Sequence, residues 1–383
     1  MATEWKKVRL GETFTVKKGQ AITKRESKEG PYPVILGGRE PAYFIDRFNH
    51  EGKAIVVSRS GASAGYVSFW NEPIFITDGF LIEPNNDVCY EYIYYLMKNN
   101  QSRFIGSQKG AAIPHVTPAL LSDIDILLPP LETQQKIAGI LSAYDDLIEN
   151  NLKQIKLLEE AAQKLYKEWF VKLNFPGHEN VKIVDGVPEG WIETDIKSIC
   201  TKINAGGTPN RKKTEYWNNK DVKWFKTKEL QDCWLYDSEE YISQKGLENS
   251  SAKIFPENTI LMAIYASPTL GRLGILTNAA CCNQAALCMI ANEEIISYQW
   301  LYLKLMELRE YFNSVARGAG QQNISADVVK NKTFLLPSKS LLDIFTKIIK
   351  PYFDKIRYLQ NQIQLLQSAR DKLLPKLMNG EYV

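Results

Sequence analysis

Hydrophobic and polar positions follow two different periods along this chain. Ala54–Ser58 (AIVVS), Gly65–Phe69 (GYVSF), Ile74–Thr77 (IFIT) and Phe80–Glu83 (FLIE) are short apolar runs punctuated by Gly, Pro and Asn. Such runs predict the strands of a half-buried sheet. Thr259–Ile264, Gly274–Thr277 and Ala286–Ile290 predict a second set. A helical stretch follows each, at Tyr90–Lys98 and Tyr298–Tyr311. From Ile137 the apolar steps change to three and four: Ile137, Leu141, Tyr144, Ile148, Asn151, Ile155, Leu158, Ala162, Leu165, Trp169. The same spacing recurs at Phe345, Ile349, Tyr352, Ile356, Leu359, Ile363, Leu366, Arg370, Leu373, Leu377. This is the seam of a coiled coil, interrupted once in each copy, at Asn151 and at Arg370. Either interruption is a register-setting polar residue or an adaptable edge of a partly exposed seam. Ser142 with Asp145 resembles a capping pair and Pro351 suits the first position of a helix. Each seam therefore predicts a short helix and then a long one, about residues 143–172 and 351–379. At 1.5 Å per residue each long helix spans roughly 45 Å.

The chain is an internal repeat. Thr117–Pro129 (TPALLSDIDILLP) matches Ser325–Pro337 (SADVVKNKTFLLP) at an offset of 208 residues. That offset holds without a gap from Gly110/Gly318 through Ile137/Phe345, Tyr144/Tyr352 and Ile155/Ile363 to Leu165/Leu373. Near the start of each half, Trp5 matches Trp191 at an offset of only 186, so the second copy has gained 22 residues between the two landmarks. A shared frame thus carries two differently shaped surfaces. The pattern predicts an α+β chain: two β-rich α/β domains in a pseudo-twofold arrangement, joined by two long antiparallel helices that form a coiled-coil spacer. The implied boundaries are 1–130, 131–175, 176–338 and 339–383. Domains held at the two ends of such a spacer form a two-headed caliper, a geometry that suits duplex DNA, whose major groove repeats about every 34 to 36 Å.

Composition narrows the class. With 383 residues, 44% hydrophobic and 24% charged, the chain is globular and longer than one core supports. No apolar stretch reaches the roughly 18 residues of a membrane helix and the first ten residues hold no signal core, which predicts a cytoplasmic protein without membrane contact. Six Cys and three His show no ligand spacing, so no metal site is expected. GxxxxGK[ST], GxGxxG after a strand and HExxH are all missing, as is Asn/Asp-Pro-Pro-aromatic, which speaks against catalysis or a cofactor in this chain. The net charge of +3 names no partner, but two windows are basic: residues 1–30 hold eight bases against four acids, and residues 201–230 hold eight against three.

Leu127–Phe170 and Arg370–Val383 (RDKLLPKLMNGEYV) resemble the central and distal spacer regions of the DNA-specificity subunit of bacterial type I restriction-modification systems. GGTPN (206–210), EYW (215–217), NQAAL (283–287) and GAGQQNIS (318–325) are similar to landmarks of one subgroup of its target-recognition domains, and SRSGASAGYV (58–67) to another. The resemblance covers essentially the whole chain. It implies two target-recognition domains, each reading half of a split, asymmetric DNA site, with the helices setting the gap. It also implies two methyltransferase subunits and restriction subunits as partners, which would carry S-adenosylmethionine, ATP and Mg. A stand-alone two-headed DNA-binding regulator, or a self-sufficient restriction-methylation polypeptide, are the rival readings.

A DNA reader needs side chains that hold phosphate and others that read base edges. Gly-flanked basic loops supply the candidates. In the first domain they are Lys17, Lys18, Gln20, Lys24, Arg25, Arg39, Arg59, Ser60, Ser63, Lys109 and His115. In the second they are Asn204, Thr208, Asn210, Arg211, Lys212, Lys213, Lys226, Lys228, Tyr265, Ser267, Arg272, Arg317, Gln321, Gln322 and Asn323. Arg suits guanine and Gln or Asn suits adenine, because each can pair bidentately in the major groove, whereas Lys more often holds phosphate. Trp5 and Trp191 are expected to be core or edge anchors common to both copies, not base-stacking residues. Trp217, Trp224 and Trp234 are open between base stacking and packing.

Overall fold

The structure, a computed structural model, describes residues 5–23, 25, 27–38, 40–106, 115–265, 269–316 and 323–382. It divides into two compact units, Met1–Asn150 with Gln364–Val383, and Asn151–Ile363. Helix and strand mix in both, the α+β class expected.

In the first unit the strands are β1 (Lys6–Arg9), β2 (Phe14–Lys18), β3 (Tyr32–Ile35), β4 (Tyr43–Ile45) and β5 (Lys53–Ser58), then β6 (Val67–Asn71), β7 (Phe75–Ile76) and β8 (Gly79–Pro84). Helices α1 (Tyr90–Asn99), α2 (Gln101–Gly106) and α3 (Pro118–Ser122) follow, then β9 (Asp125–Leu128) and the long α4 (Leu131–Phe170). The sheets are ordered β2-β8-β5-β6, β4-β3-β7 and β1-β9. Among the described residues of this unit, only β3 and β7 pair in parallel. β5 is buried along all but its first residue, which is why it reads as a continuous apolar run. Its core packs beneath α1 and includes Ile55, Val57, Tyr92 and Ile93 together with Ile137 and Leu141 of α4.

The second unit begins with a hairpin, β10 (Ile183–Val184) and β11 (Val187–Pro188), and continues through β12 (Ile192–Asp195), β13 (Cys200–Ala205) and β14 (Val222–Phe225). Then come β15 (Cys233–Leu235), β16 (Glu240–Ile242), α5 (Gln244–Glu248), β17 (Ile260–Ala263), β18 (Leu273–Leu276), β19 (Cys281–Cys282) and β20 (Ala286–Ala291). It closes with α6 (Tyr298–Glu307), α7 (Arg309–Val315), α8 (Ala326–Lys330), β21 (Thr333–Leu336) and α9 (Lys339–Met378). The sheets are β13-β20-β17-β18-β15, β16-β14-β19 and β12-β21.

The repeat is exact at the level of register. Lys6 pairs with Leu128 and Ile192 with Leu336, which are the same pair carried by offsets of 186 and 208. Thr117 caps α3 by accepting from Leu120 N at 3.3 Å, and Ser325 caps α8 by accepting from Val328 N at 3.3 Å. The residues gained in the second copy include β15, which adds a fifth strand, parallel to β18.

Two expectations need correction. Each seam is one continuous helix of 40 residues, not a short helix followed by a long one. Asp145 does not cap: its carboxylate is taken by Tyr95 and Arg370. Pro351 lies inside α9, where its missing N–H costs a hydrogen bond. Burial of the flanking Ile349 and Phe353 offsets that cost. The buried stripe also widens by one position near each globular core. Tyr166 and Leu374 are buried, while Leu165 and Leu373, one residue earlier, are only partly so. The next seam positions, Trp169 and Leu377, are buried again, so the globular core covers a wider face of each helix there. Ile148, Ile155, Ile356 and Ile363 are buried as expected, and Leu158 and Leu366 are half-buried.

Within the second unit α4 and α9 run antiparallel: Asn151 faces Gln362, its amide donating at 3.4 Å, and Tyr166 and Phe170 pack edge-on against Phe345 at 6.2 and 4.8 Å between centroids. Trp191 joins that aromatic cluster through Phe170 and Phe175, and Trp5 packs against the first unit's core, so both are core anchors. Among the described residues no helix is long and apolar enough to cross a membrane.

Candidate nucleic-acid interface

In the first unit four loops meet at one end of the β2-β8-β5-β6 sheet. Gly19 N donates to Gly79 O at 3.0 Å and Gln20 N to Ile76 O at 2.9 Å, which lays the segment after β2 against the β7–β8 turn. A Cβ at Gly19 would stand 2.5 Å from Thr77 O, so only glycine fits this approach. From the other side Arg59 Nε donates to Asp78 Oδ1 at 2.6 Å, Ser60 donates its hydroxyl to the second carboxylate oxygen, and Arg59 N donates to Asp78 O at 3.2 Å. Ser60 bridges His115, and Val116 N donates to Arg59 O at 2.8 Å. An open groove results, lined by Lys18, Arg59, Phe80, His115 and Thr117.

The sequence candidates therefore divide. Lys18, Arg59, Ser60 and His115 come together, with Gln20 exposed at the margin. Lys17 instead pairs across the sheet with Glu83 at 2.8 Å. Arg25 is exposed and Ser63 half-buried. Lys24, Arg39 and Lys109 lie outside the described residues.

The second unit builds the same corner with other side chains. Gly206 N donates to Ala286 O at 3.1 Å and Gly207 N to Cys282 O at 2.9 Å, the counterparts of the Gly19 and Gln20 bonds. Tyr265 bridges Asn323 where Ser60 bridges His115. Ile264 N donates to Ala285 O at 2.9 Å where Arg59 N donates to Asp78 O. Thr208 donates its hydroxyl to Gln284, in a turn one residue longer than that of the first unit. Asn204 and Arg272 are half-buried nearby, while Ser267, Arg317, Gln321 and Gln322 lie outside the described residues.

Next to this corner the basic window folds onto acids. Arg211 lies 3.7 Å above the Trp217 ring and pairs with Glu240. Lys226 reaches Glu240 at 2.6 Å and Glu239 at 3.0 Å, and Lys228 reaches Glu239 at 2.5 Å. Burial alone raises the Glu240 carboxyl, but hydrogen bonds from Lys226 and Arg211 outweigh it and hold the group below its ordinary range. Lys226 is correspondingly raised, chiefly by its bond to Glu240. Asn210 turns back to accept from Lys212 N at 2.9 Å, and Lys213 donates to the Tyr216 hydroxyl at 3.0 Å. Lys212 remains exposed. Trp224 and Trp234 are 2% and 4% exposed, which excludes base stacking and makes them core; Trp217 carries Arg211.

Sequence reasoning missed Asp78, Gln284 and the glutamates 239 and 240. The acids sit just beyond the basic window, and pairing across 29 residues, as for Arg211 and Glu240, leaves no local signal. Among the described residues no cluster of three or more His, Cys, Asp or Glu side chains is placed to hold a metal.

Residues 2–160 and 188–368 each match the family described as Type I restriction modification DNA specificity domain. The chain is 29% identical over 340 residues to the type I restriction enzyme MjaIX specificity subunit of Methanocaldococcus jannaschii, covering 86% of this chain and 78% of that one. It is 27% identical to the HindI specificity subunit of Haemophilus influenzae, with 80% of each chain covered. The crystal structure of a type I restriction-modification S subunit from M. genitalium shares the fold, with a TM-score of 0.64 at 19% identity over 98% of this chain and 96% of that one.

Proposed function

Because the chain belongs to the family of type I restriction-modification DNA specificity subunits, we propose that it reads a split, asymmetric duplex sequence, one half-site per unit. One observation carries this reading: a shared backbone corner holds different side chains in each unit, Arg59, Ser60 and Asp78 in one against Ile264, Tyr265 and Ala285 in the other. Two readers on one frame are expected to read different bases, so the target is not a palindrome. Lys18, Lys212 and the remaining exposed lysines hold phosphate, while arginine and amide side chains of the loops read base edges.

The partners in this proposal are two adenine-methylating subunits and the restriction subunits, which bring S-adenosylmethionine, ATP and Mg, in the cytoplasm where the DNA lies. The exposed Leu147, Leu152 and Leu157 of α4 and Tyr358 and Leu365 of α9 offer apolar surface for docking them. The methylating subunits flip the target adenines, and this chain decides where.

Selection from a random duplex library, using the chain together with its methyltransferase, tests the proposal. Enrichment of two unlike half-sites at a fixed gap is expected. Equal, tight selection by the chain alone would favour a stand-alone regulator, and no enrichment would overturn the proposal.

A further inference from the structure

The first unit's corner contains an arginine held in a way that its counterpart lacks. Arg59 spends its Nε on Asp78 at 2.6 Å, and among the described residues neither terminal nitrogen has a partner. Its backbone is fixed on both sides, by its own N–H to Asp78 O at 3.2 Å and by Val116 N to its carbonyl at 2.8 Å. Asp78 is fixed in turn, because its second oxygen takes the Ser60 hydroxyl. A guanidinium anchored through Nε keeps its two-pronged end, the part that matches O6 and N7 of guanine.

Charge decides between base and backbone. A phosphate contact gains most from uncompensated positive charge, and the Asp78 carboxylate both offsets that of Arg59 and repels phosphate. Lys18 on the same groove has no acid partner among the described residues and suits phosphate better. An arginine neutralised but still presenting two donors suits a base edge better than a phosphate. The backbone bond that joins Arg59 to Asp78 joins Ile264 to Ala285 in the second unit, so the device belongs to one unit only.

We infer that Arg59 reads a guanine in the half-site of the first unit and that Asp78 is the residue positioning it. This rests on the DNA-reading function proposed above.

The test uses the full chain with its methyltransferase and duplexes in which each guanine of the selected site is replaced in turn by 7-deazaguanine, which removes N7 and leaves base pairing intact. Wild-type binding should fall about tenfold at one guanine of one half-site. Arg59→Met keeps much of the side-chain length but removes every donor, and should be indifferent to that same replacement. Asp78→Asn should lose part of the discrimination at that guanine and none elsewhere. Unchanged sensitivity in the other half-site reports that the variants remain folded. If Arg59→Met keeps the wild-type sensitivity at every guanine, or if the half-site holds no guanine, the inference is wrong. If Arg59→Ala weakens all duplexes equally while Arg59→Lys does not, Arg59 is a phosphate contact and the inference is again wrong, with the DNA-reading function intact. A wild-type complex with no sequence preference would overturn that function and this inference together.

Discussion

Arg370 of α9 is ion-paired with Asp145 of α4, and the same carboxylate accepts the phenol of Tyr95 at 2.6 Å. The offset of 208 carries these three positions onto Ala162, Phe353 and Leu303, all apolar and buried. A polar triad in one unit thus stands where the other packs hydrocarbon. An ion pair on a helix seam is satisfied in one register only, which gives the interruption at Arg370 a role in alignment. Burial and the hydrogen bond to Asp145 together push the Tyr95 hydroxyl well above its ordinary range, so it stays a donor at any working pH.

Arg370→Ala should therefore destabilise the first unit by about 2 kcal/mol, since it leaves a half-buried carboxylate without its cation. Asp145→Ala with Arg370→Ala should cost less than the sum of the single changes, and denaturant unfolding of the four proteins measures the difference. Additive costs would remove the pair from the account.

Glu159 of α4 lines one cavity with Trp234, Tyr302 and Phe353, and burial, with a contribution from Asp232, pushes its carboxyl up to about 7. Asp232 has its own partner, a bidentate Arg309. A carboxyl raised in the folded state favours folding below its unfolded pKa, and that contribution is lost as pH rises from about 4.5 to about 7. Glu159→Gln should flatten this fall and raise the melting temperature at pH 8 by roughly 3 °C. Parallel melting curves of the two proteins across that range would contradict the assignment.

Glu239 and Glu240 pair with Arg211, Lys226 and Lys228 in the free protein and offset most of their charge. Replacing both with Gln should tighten binding to random-sequence duplex about tenfold and steepen its salt dependence, because the released cations become available to displace counterions. Titrations at several salt concentrations give both quantities. An unchanged slope would keep these cations away from DNA.

Gly206 and Gly19 occupy the same close approach in the two units. A Cβ at Gly206 collides with the carbonyls of Cys282 and Asn283, so Gly206→Ala should impair reading of one half-site, and Gly19→Ala of the other. Methylation of half-site variants separates the two. Damage to both half-sites by either change would show that the corner supports general stability instead.

Much of the frame is legible in the chain because it is periodic. The repeat, the long helices and the buried strands all announce themselves by spacing, and Thr117 and Ser325 cap their helices as their sequence context requires. The helix ends were misread where local grammar competes with packing: Pro351 and the Ser142–Asp145 pair look like starts, yet tertiary burial carries the helices through them. The site is less legible, since its contacts join segments far apart. Arg59 finds Asp78 across a strand pair, and Arg211 finds Glu240, which offsets part of the charge of the basic window.

The central claim is that two unlike units read two unlike half-sites. Its most direct test maps methylated adenines by single-molecule sequencing in cells that express this chain with its methyltransferase, against cells with the methyltransferase alone. The account predicts a split, asymmetric motif that appears only when this chain is present. A palindromic or unbroken motif, or methylation that does not depend on the chain, would contradict it.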